Sequence, residues 1–143
     1  MIAALLCLVV GVSDGDTLTA RCGEPSAYEQ VKVRLSAIDA PEKAQPFGQI
    51  SRQHLASLCF RQQATITPRM RDRYGRTVAD VECEGRDAGR EQVRAGLAWY
   101  YVQYGKGYEA LGVMQETARL AGRGLWSSAN PTAPWEWRRE RRR

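Results

Sequence analysis

Leu8-Val9-Val10-Gly11-Val12-Ser13-Asp14-Gly15-Asp16-Thr17 and Val33-Arg34-Leu35-Ser36-Ala37-Ile38-Asp39-Ala40-Pro41-Glu42 are the two stretches on which the reading of this chain turns. Leu8 to Val12 is apolar and rich in β-branched residues, and it runs into Asp14-Gly15, a turn signal between strands. Asp16 therefore falls just past a hairpin corner. Val33, Leu35 and Ala37 alternate with Arg34 and Ser36 in the two-residue period of a strand. Pro41 ends that strand, because it lacks a ladder donor and holds Ala40 extended. Asp39 and Glu42 are left at the strand exit, where a rigid element presents them to solvent. Asp16, Asp39, Glu42 and Arg34 together suit a hard divalent cation bound beside a phosphate.

Each piece also has an ordinary explanation. An Asp-Gly pair is usually only a turn, and a solvated Asp-x-x-Glu is usually surface or the start of a helix. A third segment shifts the balance: Asp72-Arg73-Tyr74-Gly75-Arg76-Thr77-Val78-Ala79 sets a second arginine at a glycine turn before another strand.

The chain has 143 residues and 16.0 kDa, room for one domain with one core. Its net charge is +5, and four of those five charges come from Arg138-Arg139-Glu140-Arg141-Arg142-Arg143. Overall charge thus says little about a nucleic-acid face on the core. Local clustering says more: Arg69, Arg71, Arg73 and Arg76 fall close together, opposed in that span only by Asp72, and form a candidate phosphate track. The terminal arginines read as a disordered arm with nonspecific affinity for polyanions. The apolar run from Ile2 to Val12 is too short to cross a bilayer and lacks the basic start of a signal peptide. Residues 1–6 read as a leader remnant ahead of the first strand.

Cys7, Cys22, Cys59 and Cys83 include no Cys-x-x-Cys pair, and His54 is the only histidine, so a zinc site is not expected. A turn centred between Asp14 and Gly15 sets Cys7 opposite Cys22 across the hairpin. Cys59 then pairs with Cys83 by elimination, tying a helix end to a strand. Two disulfides point to a periplasmic or secreted protein; buried free thiols in a cytoplasmic protein are the alternative.

Helices are expected over Phe47–Phe60, Asp87–Ala98 with Asp87 as N-cap, and Tyr108–Ala121 ended by glycines. In the first, Ile50, Leu55, Leu58 and Cys59 form the apolar face. Strands are expected over Ala64–Thr67 and Thr77–Cys83, and a hairpin loop over Glu24–Gln30. Strands with helices between and after them make an α+β fold. Of the aromatic residues Trp99, Tyr100, Tyr101 and Tyr104, Tyr104 is the one expected to be exposed and free to stack on a base. Trp126, Trp135 and Trp137 are expected to pin the C-terminal segment, and His54 to play no catalytic part.

Asp14-Gly15-Asp16-Thr17, Val33-Arg34-Leu35, Ile38-Asp39-Ala40-Pro41-Glu42, Asp72-Arg73-Tyr74-Gly75-Arg76 and Gly124-Leu125-Trp126 resemble, in this order, the staphylococcal nuclease (thermonuclease) family. The resemblance runs from about Val10 to Trp126. It implies a five-stranded Greek-key β-barrel of the OB type with three helices, one domain over 1–137 and a basic tail over 138–143. It implies a Ca2+-dependent phosphodiesterase, an endonuclease that cuts DNA and RNA and leaves 3′-phosphate ends. In that scheme Asp16, Asp39 and the backbone carbonyl of Ala40 hold Ca2+, with Thr17 behind them. Glu42 orients or deprotonates the attacking water. Arg34 and Arg76 clamp the phosphate, and Arg73 and Tyr74 contact a neighbouring one. Tyr104 joins them as a substrate contact. Nucleic acid is the only partner expected, with no membrane and no obligate protein partner, and the protein is expected to be a monomer. Gln115 departs from the family pattern, which often has glutamate there.

The rival reading is a noncatalytic OB-fold module that binds nucleic acid without cutting it. Retention of Asp16, Arg34, Asp39, Glu42 and Arg76 favours the enzyme. The ligand spacing excludes an EF-hand, which draws its oxygens from one short loop.

Overall fold

A computed structural model describes residues 3–142. The strands are β1 (Leu5–Asp14), β2 (Thr17–Cys22), β3 (Glu29–Leu35), β4 (Ile38–Asp39), β5 (Gln63–Arg71), β6 (Thr77–Cys83), β7 (Arg86–Asp87) and β8 (Trp99–Tyr100). The helices are α1 (Gly48–Cys59), α2 (Ala88–Arg94), α3 (Ala110–Leu120) and α4 (Pro134–Arg141).

β1 pairs antiparallel with both β2 and β5, β2 with β3, and β5 with β6. A parallel pairing of β3 with β6, Val33 to Thr77 and Arg34 to Val78, closes these five strands into a barrel. Closure leaves those strands without a free edge along their paired lengths. Alternate residues point inward, as the strand period dictates. Cys7 and Val9, Leu18 and Ala20, Val33 and Leu35, Ala64 and Ile66, and Ala79 and Val81 make the core. Leu55 and Cys59 of α1, Val93 of α2 and Leu111 of α3 complete it. Ile50, expected on the inner face of α1, is exposed instead; the helix buries Gly48, Ser51, Leu55 and Cys59, one turn apart.

Disulfides join Cys7 to Cys22 across β1 and β2, and Cys59 at the end of α1 to Cys83 at the end of β6. At the cysteines the hairpin has the register that a turn at Asp14-Gly15 would give, but the turn itself lies one residue further on. Asp14 pairs with Thr17, so the corner is Gly15-Asp16. Two irregularities in β1, between Val9 and Gly11 and between Val12 and Asp14, shift the register until Cys7 faces Cys22. A third, between Pro68 and Met70 in β5, takes up a proline that has no amide for the ladder.

The described residues form four α-helices rather than three. The fourth contains Arg138 to Arg141, so these residues are not a disordered arm, and the expected boundary after Trp137 falls inside a helix. Pro134 at the first turn presets its backbone angle, and Pro134 is buried. Trp135 packs against Trp99 and stacks on Tyr101, with ring centroids 5.5 and 5.4 Å apart. At the other end of the chain, Leu5 and Leu6 belong to β1 and pair with Ile66 and Thr65, so they are barrel strand. Met1, Ile2 and Arg143 lie outside the described residues. No described helix is long and apolar enough to cross a membrane.

Candidate active site

The Gly15-Asp16 corner is built to hold one side chain still. A Cβ on Gly15 would lie 1.8 Å from Ser51 Oγ, so only glycine lets α1 approach this closely. The Gly15 carbonyl accepts a hydrogen bond from the side-chain amide of Gln92 at 2.7 Å. Gln92 is fully buried and also donates to Ser51, whose hydroxyl donates to the Leu97 carbonyl. The other side of the Gln92 amide faces His54 Nδ1, which gives His54 a structural place away from the carboxylates.

From this corner Asp16 points inward. Its Oδ2 accepts the Ala40 amide at 2.7 Å and its Oδ1 the Thr17 hydroxyl at 2.9 Å. Its backbone carbonyl accepts the Leu35 amide, which ties the hairpin to β3. Arg34 reaches across both acidic strand ends. Nη1 lies 3.3 Å from Asp16 Oδ2 and donates to the Ile38 carbonyl at 3.0 Å, while Nη2 lies 3.4 Å from Asp39 Oδ1. Asp39 is 1% exposed, and β4 holds it by pairing with β8, Asp39 opposite Trp99.

Glu42 stands at the rim, its side chain 36% exposed. The loop that carries it is tight. The Glu42 carbonyl would touch a Cβ on Gly48, and Gln45 bonds the Glu42 amide at one end and the Thr132 carbonyl at the other. The glycine that opens α1 therefore sets the position of a carboxylate six residues earlier.

The structure thus brings Asp16, Thr17, Arg34, Asp39, Ala40 and Glu42 into one site. Arg73, Tyr74 and Arg76 lie on the turn between β5 and β6 and make no hydrogen bond or ion pair with these residues. Asp72 organises that turn, accepting from the Tyr74 and Arg76 amides and, at 2.7 Å, from Arg76 Nε. Burial works against its charge, but these bonds hold its carboxyl below the usual range. Fixing Arg76 by Nε leaves its terminal amino groups for another acceptor. The guanidinium carbons of Arg73 and Arg76 lie 5.1 and 5.5 Å from the Tyr74 ring centre. Parallel β3–β6 pairing sets this turn alongside the strand that carries Arg34. Tyr104 is exposed beside Tyr101, ring centroids 5.3 Å apart, in the segment that follows β8. Gln115 takes a structural role, accepting the Tyr100 amide at 2.7 Å.

Two site residues escaped the sequence reading. Arg138 of α4 donates to Asp39 Oδ2 and to Glu42 Oε1, both at 2.6 Å. Pro134 at a helix start and the Glu136/Arg139 spacing were signals that this arginine run begins inside a helix. Asp14 is the other. Burial, and after it the neighbouring Asp16 charge, push its carboxyl up to about 8. By its sequence context alone, Asp14 reads only as part of a turn.

The remaining charges divide by environment. Burial works to raise Asp16, yet Arg34 and the Ala40 and Thr17 hydrogen bonds keep it below the ordinary carboxylate range. Burial dominates at Asp39 and pushes it up to about 6 against the pull of both arginines. Asp16 and Asp39 in turn keep the buried Arg34 guanidinium charged.

The side-chain oxygens of Asp16, Asp39 and Glu42 around this centre are hard carboxylate donors, which is the chemistry a calcium or magnesium ion takes. Among the described residues no three His, Cys, Asp or Glu side chains stand close enough together to form a complete cage. Any cation here would therefore complete its shell with water, backbone or substrate oxygens.

Residues 32–128 match the family described as staphylococcal nuclease homologue. An uncharacterized endonuclease of Haemophilus influenzae is 42% identical over 134 residues, which cover 94% of this chain and 73% of that protein. An uncharacterized endonuclease of Escherichia coli O157:H7 is 43% identical over 131 residues, 91% of this chain and 82% of its own length. A micrococcal nuclease of Shigella flexneri is 39% identical over 141 residues, covering 92% of this chain and 79% of that one.

Proposed function

The chain belongs to the staphylococcal nuclease family, and from that premise we propose that it is a Ca2+-dependent endonuclease that hydrolyses DNA and RNA and leaves 3′-phosphate ends. The observation that carries this reading is the contact of one buried guanidinium, Arg34, with both Asp16 and Asp39, with Glu42 beside them at the rim. A nucleic-acid-binding barrel that does no chemistry has no need of acidic groups gathered where a phosphate must approach.

Asp16, Asp39 and the Ala40 carbonyl are the ligands for Ca2+. When bound, the ion supplies positive charge against the scissile phosphate and neutralises these carboxylates. Thr17 and the Ala40 amide orient Asp16 for that task. Glu42, partly exposed, orients the attacking water and accepts its proton. Arg34 from one side and Arg76 from the other donate to the phosphate oxygens, whose charge grows as the fifth oxygen joins phosphorus. Asp72 aims Arg76 by its Nε. As the new bond to phosphorus forms, the bond from phosphorus to the 5′-oxygen breaks, that oxygen takes a proton from solvent and leaves as a hydroxyl, and the phosphate remains on the 3′ side. Arg73, Tyr74 and Tyr104 contact the flanking nucleotides. Two disulfides suit a protein that works in the periplasm or outside the cell.

The test is digestion of plasmid DNA and of a defined RNA with Ca2+ against excess EDTA, followed by end analysis of the products. Cleavage with Ca2+ to 3′-phosphate ends is expected. Equal cleavage in chelator, or binding of both nucleic acids with no cleavage, would overturn the reading.

A further inference from the structure

Arg138 makes the tightest polar contacts in the site, and the chemistry above does not use them. Its Nη2 meets Asp39 Oδ2 and its Nη1 meets Glu42 Oε1, both at 2.6 Å, with Asp39 Oδ1 a further 3.3 Å contact of Nη1. Asp39 is 1% exposed, whereas the Arg138 side chain is 37% exposed. The arginine is thus the solvent-side cover of a carboxylate that is otherwise sealed in protein. Anything that is to reach Asp39 Oδ2 from solvent has to displace this guanidinium or share the oxygen with it.

The helix that delivers Arg138 is fixed at its base. Pro134 is buried, Trp135 packs on Trp99 and Tyr101, and Gln45 holds the Thr132 carbonyl. Further along, Arg139 pairs with Glu136 within the helix and Arg141 lies over Trp137. The backbone of residue 138 can therefore stay docked while its long side chain turns about its own bonds. A guanidinium fork fits phosphate as well as carboxylate. It cannot share Asp39 Oδ2 with a divalent cation without strong like-charge repulsion.

We infer that Arg138 is a third active-site arginine that exchanges partners. Free of cation and substrate, the site uses it to neutralise Asp39 and Glu42. Once a divalent cation holds the carboxylates, the guanidinium turns to the phosphate of the nucleic acid. This rests on the divalent-cation reading of the same site and adds a coupling to it. Without a phosphate the arginine competes with the cation. With one it has somewhere to go, so cation and phosphate each favour binding of the other, reciprocally.

Calorimetric titration of Ca2+ into the full chain, Arg138→Ala and Arg138→Lys tests this, with and without thymidine 5′-monophosphate, which offers a phosphate but no diester to cleave. Thermal melts confirm that the variants fold. Arg138→Ala should bind Ca2+ about tenfold more tightly than the parent in the absence of nucleotide, a typical size for a coupling of this kind. The nucleotide should tighten Ca2+ binding to the parent more than to the alanine variant, in which only the direct attraction between ion and phosphate remains. Arg138→Lys keeps the charge but not the fork and should fall between the two. Equal Ca2+ affinity of parent and alanine variant without nucleotide would overturn the inference, as would a nucleotide effect of undiminished size in the variant. Failure of all three proteins to bind Ca2+ would instead refute the divalent-cation reading, and the inference with it.

Discussion

Gln92 and Gly15 lie 77 residues apart in sequence, yet the side-chain amide of the first donates to the carbonyl of the second at 2.7 Å inside the protein. The bond fixes the corner from which Asp16 enters the site. Its acceptor has no solvent to fall back on, because Gly15, Ser51 and Gln92 are all buried.

Gln92→Ala should therefore lower stability by about 2–3 kcal/mol, the usual effect of leaving buried acceptors without a donor. Urea unfolding measures it. The same variant should bind Ca2+ more weakly than the parent, since the Asp16 turn is loosened. A stable variant with unaltered Ca2+ affinity would show that the corner holds itself.

Arg34→Ala removes the one guanidinium that touches Asp16, Asp39 and the Ile38 carbonyl together. Turnover should fall on the order of a hundredfold or more, as when one donor to a developing charge is lost. Arg34→Lys should not restore it, because a single ammonium cannot reproduce the fork. Steady-state rates with circular dichroism spectra separate a chemical loss from unfolding.

Asp14 gives the pH dependence a definite sign. Its folded carboxyl titrates near 8 against an ordinary value of 3.8, so between those limits the folded state holds a proton that the unfolded state has released. Stability of the metal-free protein should fall as pH rises through this window, and Asp39, raised to about 6, adds to the lower part of it. Asp14→Asn removes the first contribution. It should raise the melting temperature at pH 8 and leave that at pH 4 nearly unchanged. Melts at the two pH values in EDTA decide it.

Reduction of the disulfides should lower the melting temperature much more than the intrinsic rate. The Cys7–Cys22 bond closes a sequence separation of 15 residues and the Cys59–Cys83 bond one of 24, each worth ~3 kcal/mol on the chain-entropy model. None of the four cysteines makes a hydrogen bond or ion pair with Asp16, Arg34, Asp39 or Glu42. Alanine replacement at Cys7 and Cys22, followed by melts and initial rates below the transition, checks this.

What was legible in the sequence was what local pattern controls. Strand β6 falls on Thr77–Cys83, where alternation placed it, and Asp87 caps α2 by accepting the Arg90 amide. The hairpin was legible as a hairpin. Its turn was not, because Asp14-Gly15 and Gly15-Asp16 are both acceptable corners and the irregularities of β1 leave no mark in composition. The candidate site divides in the same way. Asp16, Arg34, Asp39 and Glu42 stand at strand ends that periodicity locates. Arg138 reaches Asp39 from 99 residues away, and its helix hid inside an arginine-rich run that by composition alone reads as a solvated tail. Gln92 was invisible for a related reason: nothing in a buried glutamine's neighbours along the chain announces which distant carbonyl it will satisfy.

The parallel pairing of β3 with β6 also orders events in time. The residues that carry Asp16, Arg34, Asp39 and Glu42 are synthesised first, but the strand that closes the barrel around them, Thr77–Cys83, emerges long after, and Gln92 later still. A growing chain therefore exposes its acidic groups for much of its synthesis before it can hold them in place. Contacts of such long sequence separation form late and together. The ability to cut nucleic acid should then arrive as one step in the birth of the molecule, after Thr77–Cys83 and Gln92 have been made.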